Sequence, residues 1–92
     1  MATVLLSWQN AADTSDHSQI QIYRYESTGL VTDSILKLSP NEIAAPSVGA
    51  PGSTQTYEDD GAELDKGYCY GVYSRNGGGV SNIGDKVHIN VT

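Results

Sequence analysis

The sequence predicts an all-β domain in which antiparallel strands form a sandwich. Short runs of β-branched and aromatic residues alternate with polar ones, which is the pattern of strands with one buried face. Stretches rich in Gly, Pro and Asn separate these runs, as turns do in antiparallel proteins. The length of 92 residues fits one domain, 1–92, with a single core.

The first strand signal begins almost at the start of the sequence. Val4, Leu6 and Trp8 alternate along it and are expected to face the core. Leu5 lies between them, so its side chain is expected to point away from the core. A polar loop then extends as far as Gln19.

The next strand signal covers 20–25, which is rich in β-branched and aromatic residues. A weaker strand signal over 30–38 is clearest at 34–38. The residues S-P-N-E at 39–42 pair a Ser with a Glu three positions later, as a capping box does. This favours a single helical turn near 40–45, although a bare turn fits the pattern equally well.

The second half of the chain contains three more strand signals. They cover 55–58, 68–74 and 87–91. The acidic run over 58–65 is expected to be a solvated loop, since charge runs usually lie in solvent. The strict alternation over 87–91 places His88 on the outward face of the last strand.

The order and spacing of several motifs resemble a fibronectin type III domain. V-x-L-S-W at 4–8 resembles strand B of that family, and I-x-I-Y-R at 20–24 resembles its strand C. Y-E-D-D-G followed by L-x-x-G-x-x-Y-x-V-x-S-x-N, over 57–76, resembles the run from strand E through strand F. G-V-S at 79–81 resembles the entry to strand G, so the resemblance covers most of 4–92.

The resemblance implies an immunoglobulin-like sandwich with no catalytic site of its own and no cofactor. It implies a tyrosine corner between Leu64 and Tyr70, and it places strands C and F side by side. Only three residues precede Val4, so the family's strand A is expected to be short or missing. Strand B then becomes a sheet edge with unpaired backbone groups.

The resemblance also implies a function, because free-standing domains similar to this family occur on the tails, capsids and fibres of bacteriophage virions. It implies a structural virion decoration, or a tail or capsid accessory component, that packs on other subunits and contacts host surfaces, including cell-surface glycan. Such a protein is synthesised in the cytoplasm and located on the extracellular particle. The alternative is a protein- or carbohydrate-binding spacer module of a larger secreted bacterial enzyme or adhesin, located outside the cell or at its surface.

The charge balance argues against two classes of partner. Five Lys and Arg residues stand against eleven Asp and Glu residues, for a formal net charge of −6. A nucleic-acid-binding protein needs a basic face, so no nucleic-acid partner is expected. Anionic membranes are disfavoured for the same reason, and no apolar run approaches the roughly 18 residues of a membrane span.

Two surfaces are predicted to bind protein subunits. The first is an exposed face of strands C and F formed by Tyr23, Tyr25, Tyr73 and Arg75. In the alternative, the cross-strand Tyr pairs only stabilise the sheet. The second surface is the open edge of strand B at Leu5, which invites another chain unless 1–3 or the loop 38–54 covers it.

Candidate catalytic and metal-binding residues are few. His17 lies among the Ser and Asp residues of 13–18, but a polar loop supplies neither the scaffold nor the oxyanion pocket of a Ser-His-Asp triad. The acidic run lacks the residue order of a calcium loop, and two separated His with one Cys lack zinc spacing. Cys69 could crosslink subunits outside the cell, but a buried or unused thiol is the favoured interpretation. We therefore expect no catalytic residue and no bound metal.

Overall fold

The computed structural model describes residues 2–10, 17–76 and 86–92. Within these ranges the elements follow in this order: β1 Ala2–Gln9, β2 His17–Glu26, helix α1 Asp33–Leu36, a 3-10 turn Ser39–Asn41, β3 Glu42–Ala44, β4 Thr54–Ala62, β5 Gly67–Asn76 and β6 Lys86–Asn90. The prediction of an all-β fold is confirmed. No helix in this part of the chain has the length and apolar character needed to cross a membrane.

The strands form two antiparallel sheets. β1 and β4 make a two-stranded sheet, and β3–β2–β5–β6 make a four-stranded one. The register of β2 and β5 opposes Tyr23 to Gly71 and Tyr25 to Cys69. The expectation that these two strands lie side by side is therefore confirmed.

The main apolar core lies between the two sheets. Val4 and Leu6 are buried while their neighbours Thr3, Leu5 and Ser7 are exposed, which confirms the alternation predicted for the first strand. The buried members of the core come from both sheets and from the residue after β6: Val4, Leu6, Ile20, Ile22, Ala62, Tyr68, Tyr70 and Val91. Burying one large apolar side chain contributes about 1.5–3 kcal/mol, so this shared cluster holds the sheets together.

A second, smaller cluster lies on the opposite face of the four-stranded sheet. Leu36 of α1 is fully buried there, with Tyr23, Cys69 and Tyr73 around it. A Cβ atom added at Gly71 would lie only 2.5 Å from Leu36 Cδ2. The glycine therefore leaves the space that the leucine occupies.

The strand expected over 30–38 is wrong, because this segment covers the outer face of the sheet instead of extending it. Its helix α1 is a single turn that begins after Thr32. The helical turn considered near 40–45 is a 3-10 turn at 39–41, and pairing with β2 then forms β3. Tertiary pairing here overrides the local capping-box signal.

β4 extends further into the acidic segment than the sequence predicted. Glu58, Asp59 and Asp60 lie in this strand, and Asp59 is only 4% exposed. The expectation of a solvated loop over 58–65 is therefore wrong for its first part, because Asp59 finds its partners between the sheets.

Candidate interaction site

Within the residues that the structure describes, β1 pairs with another strand on one side only. Its register with β4 opposes Ser7 to Thr56, and just beyond it the Asn10 backbone N–H donates to the Ser53 carbonyl at 2.8 Å. Backbone groups alternate in direction along an antiparallel strand. The even-numbered residues of β1 therefore bond to β4, and the N–H and C=O groups of Leu5 and Ser7 point away from it.

β1 also lacks two of the features that protect sheet edges. Its sequence, A-T-V-L-L-S-W-Q, contains no charged residue and no proline, which are usual protections of an edge strand. Leu5 lies in the middle of the strand and is 61% exposed, which confirms its predicted outward direction. An exposed leucine beside unpaired backbone groups offers another chain both apolar contact and hydrogen bonds.

Contacts between the layers show where this open edge lies. Arg24 of β2 reaches Asp59 of β4 at 2.8 Å. Gln55 of β4 donates a hydrogen bond to the carbonyl of Ser47 in the loop before it, and Ser47 forms a bridge with Gln19 of β2. These contacts place β4 over the β2 side of the larger sheet, so β1 and its open edge lie toward β5 and β6.

The inner face of β6 is only partly covered. Val87 opposes Tyr70 in the register, and Ile89 lies two residues further along the same face. Val87 is nevertheless 45% exposed, whereas Ile89 is half-buried and packs against the main core. We refer to the open edge of β1 and this face together as the β1–β6 site, which is defined by Leu5, Ser7, Val87 and Ile89.

The aromatic face predicted on β2 and β5 is mostly covered. Tyr23 and Tyr73 are 6% and 1% exposed, so the expectation that they lie on an open surface is wrong. Their rings meet edge to face at 5.6 Å, and α1 packs over them. Tyr25 is 37% exposed, as expected, whereas the side chain of Arg75 lies outside the described part of the structure.

Polar contacts hold α1 in place over this face. The Tyr73 hydroxyl donates to Asp33 at 2.9 Å, and Lys86 lies 3.0 Å from the same carboxylate. Hydrogen bonds from Lys86 and then from Tyr73 lower the pKa of Asp33. Burial, followed by the bond to Asp33, raises the pKa of Tyr73. The helix is thus tied to both β5 and β6.

Cys69 belongs to the same covered cluster. It is fully buried beneath α1, and its thiol is free. The favoured prediction of a buried thiol is therefore confirmed, and the alternative of an intermolecular crosslink does not fit the folded chain, because a buried sulfur atom cannot reach the thiol of another chain.

A buried polar network, which the sequence did not indicate, joins the two sheets at Asp59. Arg24 Nη1 lies 2.8 Å from both carboxylate oxygens, the Tyr70 hydroxyl donates at 2.6 Å, and the Gly61 backbone N–H donates at 3.0 Å. Burial alone would raise the pKa of Asp59, but these hydrogen bonds outweigh it and hold the pKa below its usual value. Because Arg24 and Tyr70 belong to the larger sheet, the Asp59 carboxylate links the two sheets.

The tyrosine corner expected between Leu64 and Tyr70 does not form in the described residues. The hydroxyl of Tyr70 donates to Asp59 and makes no backbone bond there. The hydroxyl of Tyr68 instead accepts a hydrogen bond from the Glu63 backbone N–H at 3.0 Å. Leu64, the other residue of the expected corner, is 54% exposed.

A shallow polar depression of about 370 Å³ lies beside the network, lined in part by Arg24, Tyr25 and Lys66. Lys66 pairs with Glu63 and with Glu26, the latter at 3.3 Å. The hydrogen bond to Glu63, followed by the one to Glu26, raises the pKa of Lys66. The depression thus presents a partly exposed aromatic ring next to charged hydrogen-bonding groups.

Among the residues that the structure describes, the remaining candidates give no additional site. The loop 13–16 and the side chains of His17 and Ser18 lie outside the described residues. His88 is on the outer face of β6, as predicted, and its Nε2 lies 2.9 Å from the Ser27 carbonyl. Within the ranges 2–10, 17–76 and 86–92, no group of three or more His, Cys, Asp or Glu side chains could hold a metal ion.

Comparison of the chain with protein-family models, with curated proteins and with solved structures finds no match. The interpretation of the site therefore rests on its geometry.

Sequence reasoning missed Asp59, Leu36 and Val87 as structurally important residues. A signal for Leu36 existed at Gly71, because a glycine inside an aromatic strand marks a close approach of another element.

Proposed function

We propose that the chain is a non-catalytic structural and interaction domain that joins a larger assembly through the β1–β6 site. The observation that carries the proposal is the one-sided pairing of β1 among the strands that the structure describes, with Leu5 61% exposed on its outward face. Unpaired edges of this kind promote association, and proteins normally cover or charge them. A subunit of a complex can have an uncharged edge that is open before assembly, because assembly then covers it.

The proposal includes a fibronectin type III-like sandwich, and the strand order supports it. β1 and β4 would correspond to strands B and E, and β3–β2–β5–β6 to strands C′, C, F and G. In this correspondence no strand in the described part of the chain matches the family's first one, whose place would be beside β1 and over β6.

The setting that we propose is a bacteriophage virion, on which the chain would be a decoration or a tail or capsid accessory protein. The sequence resemblance supports this setting, and the net charge of −6 favours a protein partner over nucleic acid. Packing on neighbouring subunits would cover Leu5. The chain would then be made in the cytoplasm and act on the extracellular particle.

Quantitative mass spectrometry of purified particles and of the soluble fraction from the source tests this function. Leu5→Lys puts a charge at the centre of the open edge, and Thr56→Lys is the matched control at an exposed position of β4. We expect wild type and Thr56→Lys in the particles, with Leu5→Lys reduced about tenfold. Recovery of the wild type in the soluble fraction alone, or equal incorporation of both variants, would contradict the proposal.

A second candidate function is a carbohydrate-binding spacer module of a secreted enzyme or adhesin. The observation that favours it is the position of Tyr25 at the polar depression, where a sugar ring could stack on the aromatic ring beside Arg24 and Lys66. NMR titration with bacterial cell-surface oligosaccharides tests it. Under this function Tyr25→Ala abolishes binding and Leu5→Lys leaves it unchanged.

A further inference from the structure

We infer that a single extended segment of another polypeptide completes the β1–β6 site by pairing with β1. Its side chains would alternate between apolar residues facing β6 and Lys or Arg residues facing outward. This inference rests on the proposed function and names the chemistry of the partner.

The backbone of β1 provides the first half of the site. The N–H and C=O groups of Leu5 and Ser7 point outward, as the β1–β4 register and the Asn10–Ser53 hydrogen bond require. A strand placed about 4.8 Å from β1 meets these groups at hydrogen-bonding distance. Pairing along a strand edge supplies affinity without requiring a particular side chain on the partner.

The inner face of β6 provides the second half. Val87 is 45% exposed although it points to the core side, and Ile89 on the same face is half-buried. A strand added beside β1 would lie over these two residues, because paired sheets pack about 10 Å apart. Every second side chain of that strand would face them, so those positions require apolar residues.

A single extended strand fits this site better than a second folded copy of this chain does. Antiparallel pairing of two β1 strands keeps both inner faces on the same side of the new sheet. The larger sheet of the second copy would then lie where β6 of the first already stands. A single extended segment carries no such sheet and fits beside β1.

The negative charge on the outer face of the small sheet favours basic residues at the outward-facing positions of the segment. Glu58 opposes Leu5 in the register and is exposed, and exposed Asp60 accepts a hydrogen bond from Thr3 at 3.2 Å. These carboxylates line the outer face of the small sheet on a chain with a net charge of −6. Long basic side chains on the added strand would cover Leu5 with their aliphatic stems and place their charged ends within about one Debye length, roughly 8 Å, of these carboxylates.

A synthetic eight-residue peptide with capped ends and alternating Val and Lys is the probe. A peptide of the same length with alternating Val and Glu is its control. Binding to the full chain is measured by calorimetry, and amide hydrogen exchange reports protection at each residue. Ser7→Pro removes an outward-pointing N–H from β1, whereas Thr56→Pro removes the equivalent N–H on the outer edge of β4 and is the matched control.

We expect the Val–Lys peptide to bind the wild type and Thr56→Pro alike, and Ser7→Pro at least about tenfold more weakly. Bound peptide should slow exchange of the Leu5 and Ser7 amides in the wild type, a result that does not depend on the folding of any variant. Absence of binding, equal binding by Ser7→Pro, or equal binding of the Val–Glu peptide would overturn the inference. So would self-association of the free chain that protects the same amides.

Failure of this experiment is distinguishable from failure of the proposed function. If the peptide does not bind but Leu5→Lys is still lost from particles, the edge joins the assembly through a different partner surface. If the wild type is absent from particles, the proposed function fails whatever the peptide does.

Discussion

Replacing Gly71 with alanine tests whether α1 covers the outer face of the larger sheet. The added Cβ would lie 2.5 Å from Leu36 Cδ2 and 2.7 Å from Tyr73 Cε2. Both distances are far shorter than the roughly 3.5–4.0 Å of an ordinary carbon–carbon contact, so the leucine or the tyrosine ring must move. Overpacking of this kind costs about 1–3 kcal/mol. For a domain of this size each kcal/mol corresponds to a decrease in Tm of about 4–8 °C.

Truncating the leucine should relieve the same clash. Leu36→Ala alone is expected to cost about 2–5 kcal/mol, because its side chain is fully buried. In the double variant the methyl group introduced by Gly71→Ala occupies part of the vacated space. The combined cost should therefore be about 1–2 kcal/mol less than the sum of the single costs.

Equilibrium urea unfolding followed by circular dichroism measures these free energies. Gly29→Ala is the control, since a Cβ at that position meets no atom within 4 Å, and its effect should stay within about 0.5 kcal/mol. An unchanged stability of Gly71→Ala, or full additivity in the double variant, would refute the packing of α1 on β5.

The network at Asp59 and the buried thiol give two further predictions. Asp59→Asn should lower the free energy of unfolding by about 2–3 kcal/mol, because it removes a charged acceptor that is 4% exposed. The folded-state pKa of Asp59 lies below its usual 3.8, so its contribution is present above about pH 4 and is lost as the pH falls through the lowered pKa. Unfolding titrations from pH 6 to pH 2 should show that loss in the wild type and a flatter profile in the variant, and parallel profiles would contradict it. Cys69 should not react with a thiol reagent until the chain unfolds, and rapid labelling of the native protein would show that α1 does not cover it.

The strand alternation could be predicted from the sequence pattern, whereas the adjacency of β2 and β5 was an implication of the family resemblance. Val4, Leu6 and Leu5 follow a strict period of two, and each side chain lies on the predicted face. Such periodicity is a local property of the sequence, so it can be recognised without knowing the partner strand. The open edge at Leu5 followed from the same pattern together with the family resemblance.

The burial of the outer aromatic face could not be predicted in the same way. Alternation along β2 and β5 places Tyr23 and Tyr73 on the outer face of the sheet. Their exposure there depends only on the packing of α1 on that face. In the sequence Asp59 is one of several acidic residues in a row, a pattern that predicts exposure to solvent. Its burial depends on Arg24 and Tyr70, which lie on other strands. These contacts join residues distant in the chain, so local pattern carries no signal for them.

Amide hydrogen exchange of the isolated chain tests the open edge of β1 most directly. Leu6 and Trp8 bond to β4, whereas Leu5 and Ser7 point away from it. We predict that the Leu6 and Trp8 amides are protected and that the Leu5 and Ser7 amides exchange at least about 100-fold faster. Equal protection of all four amides in a monomeric chain would contradict the account, because the edge would then already be covered.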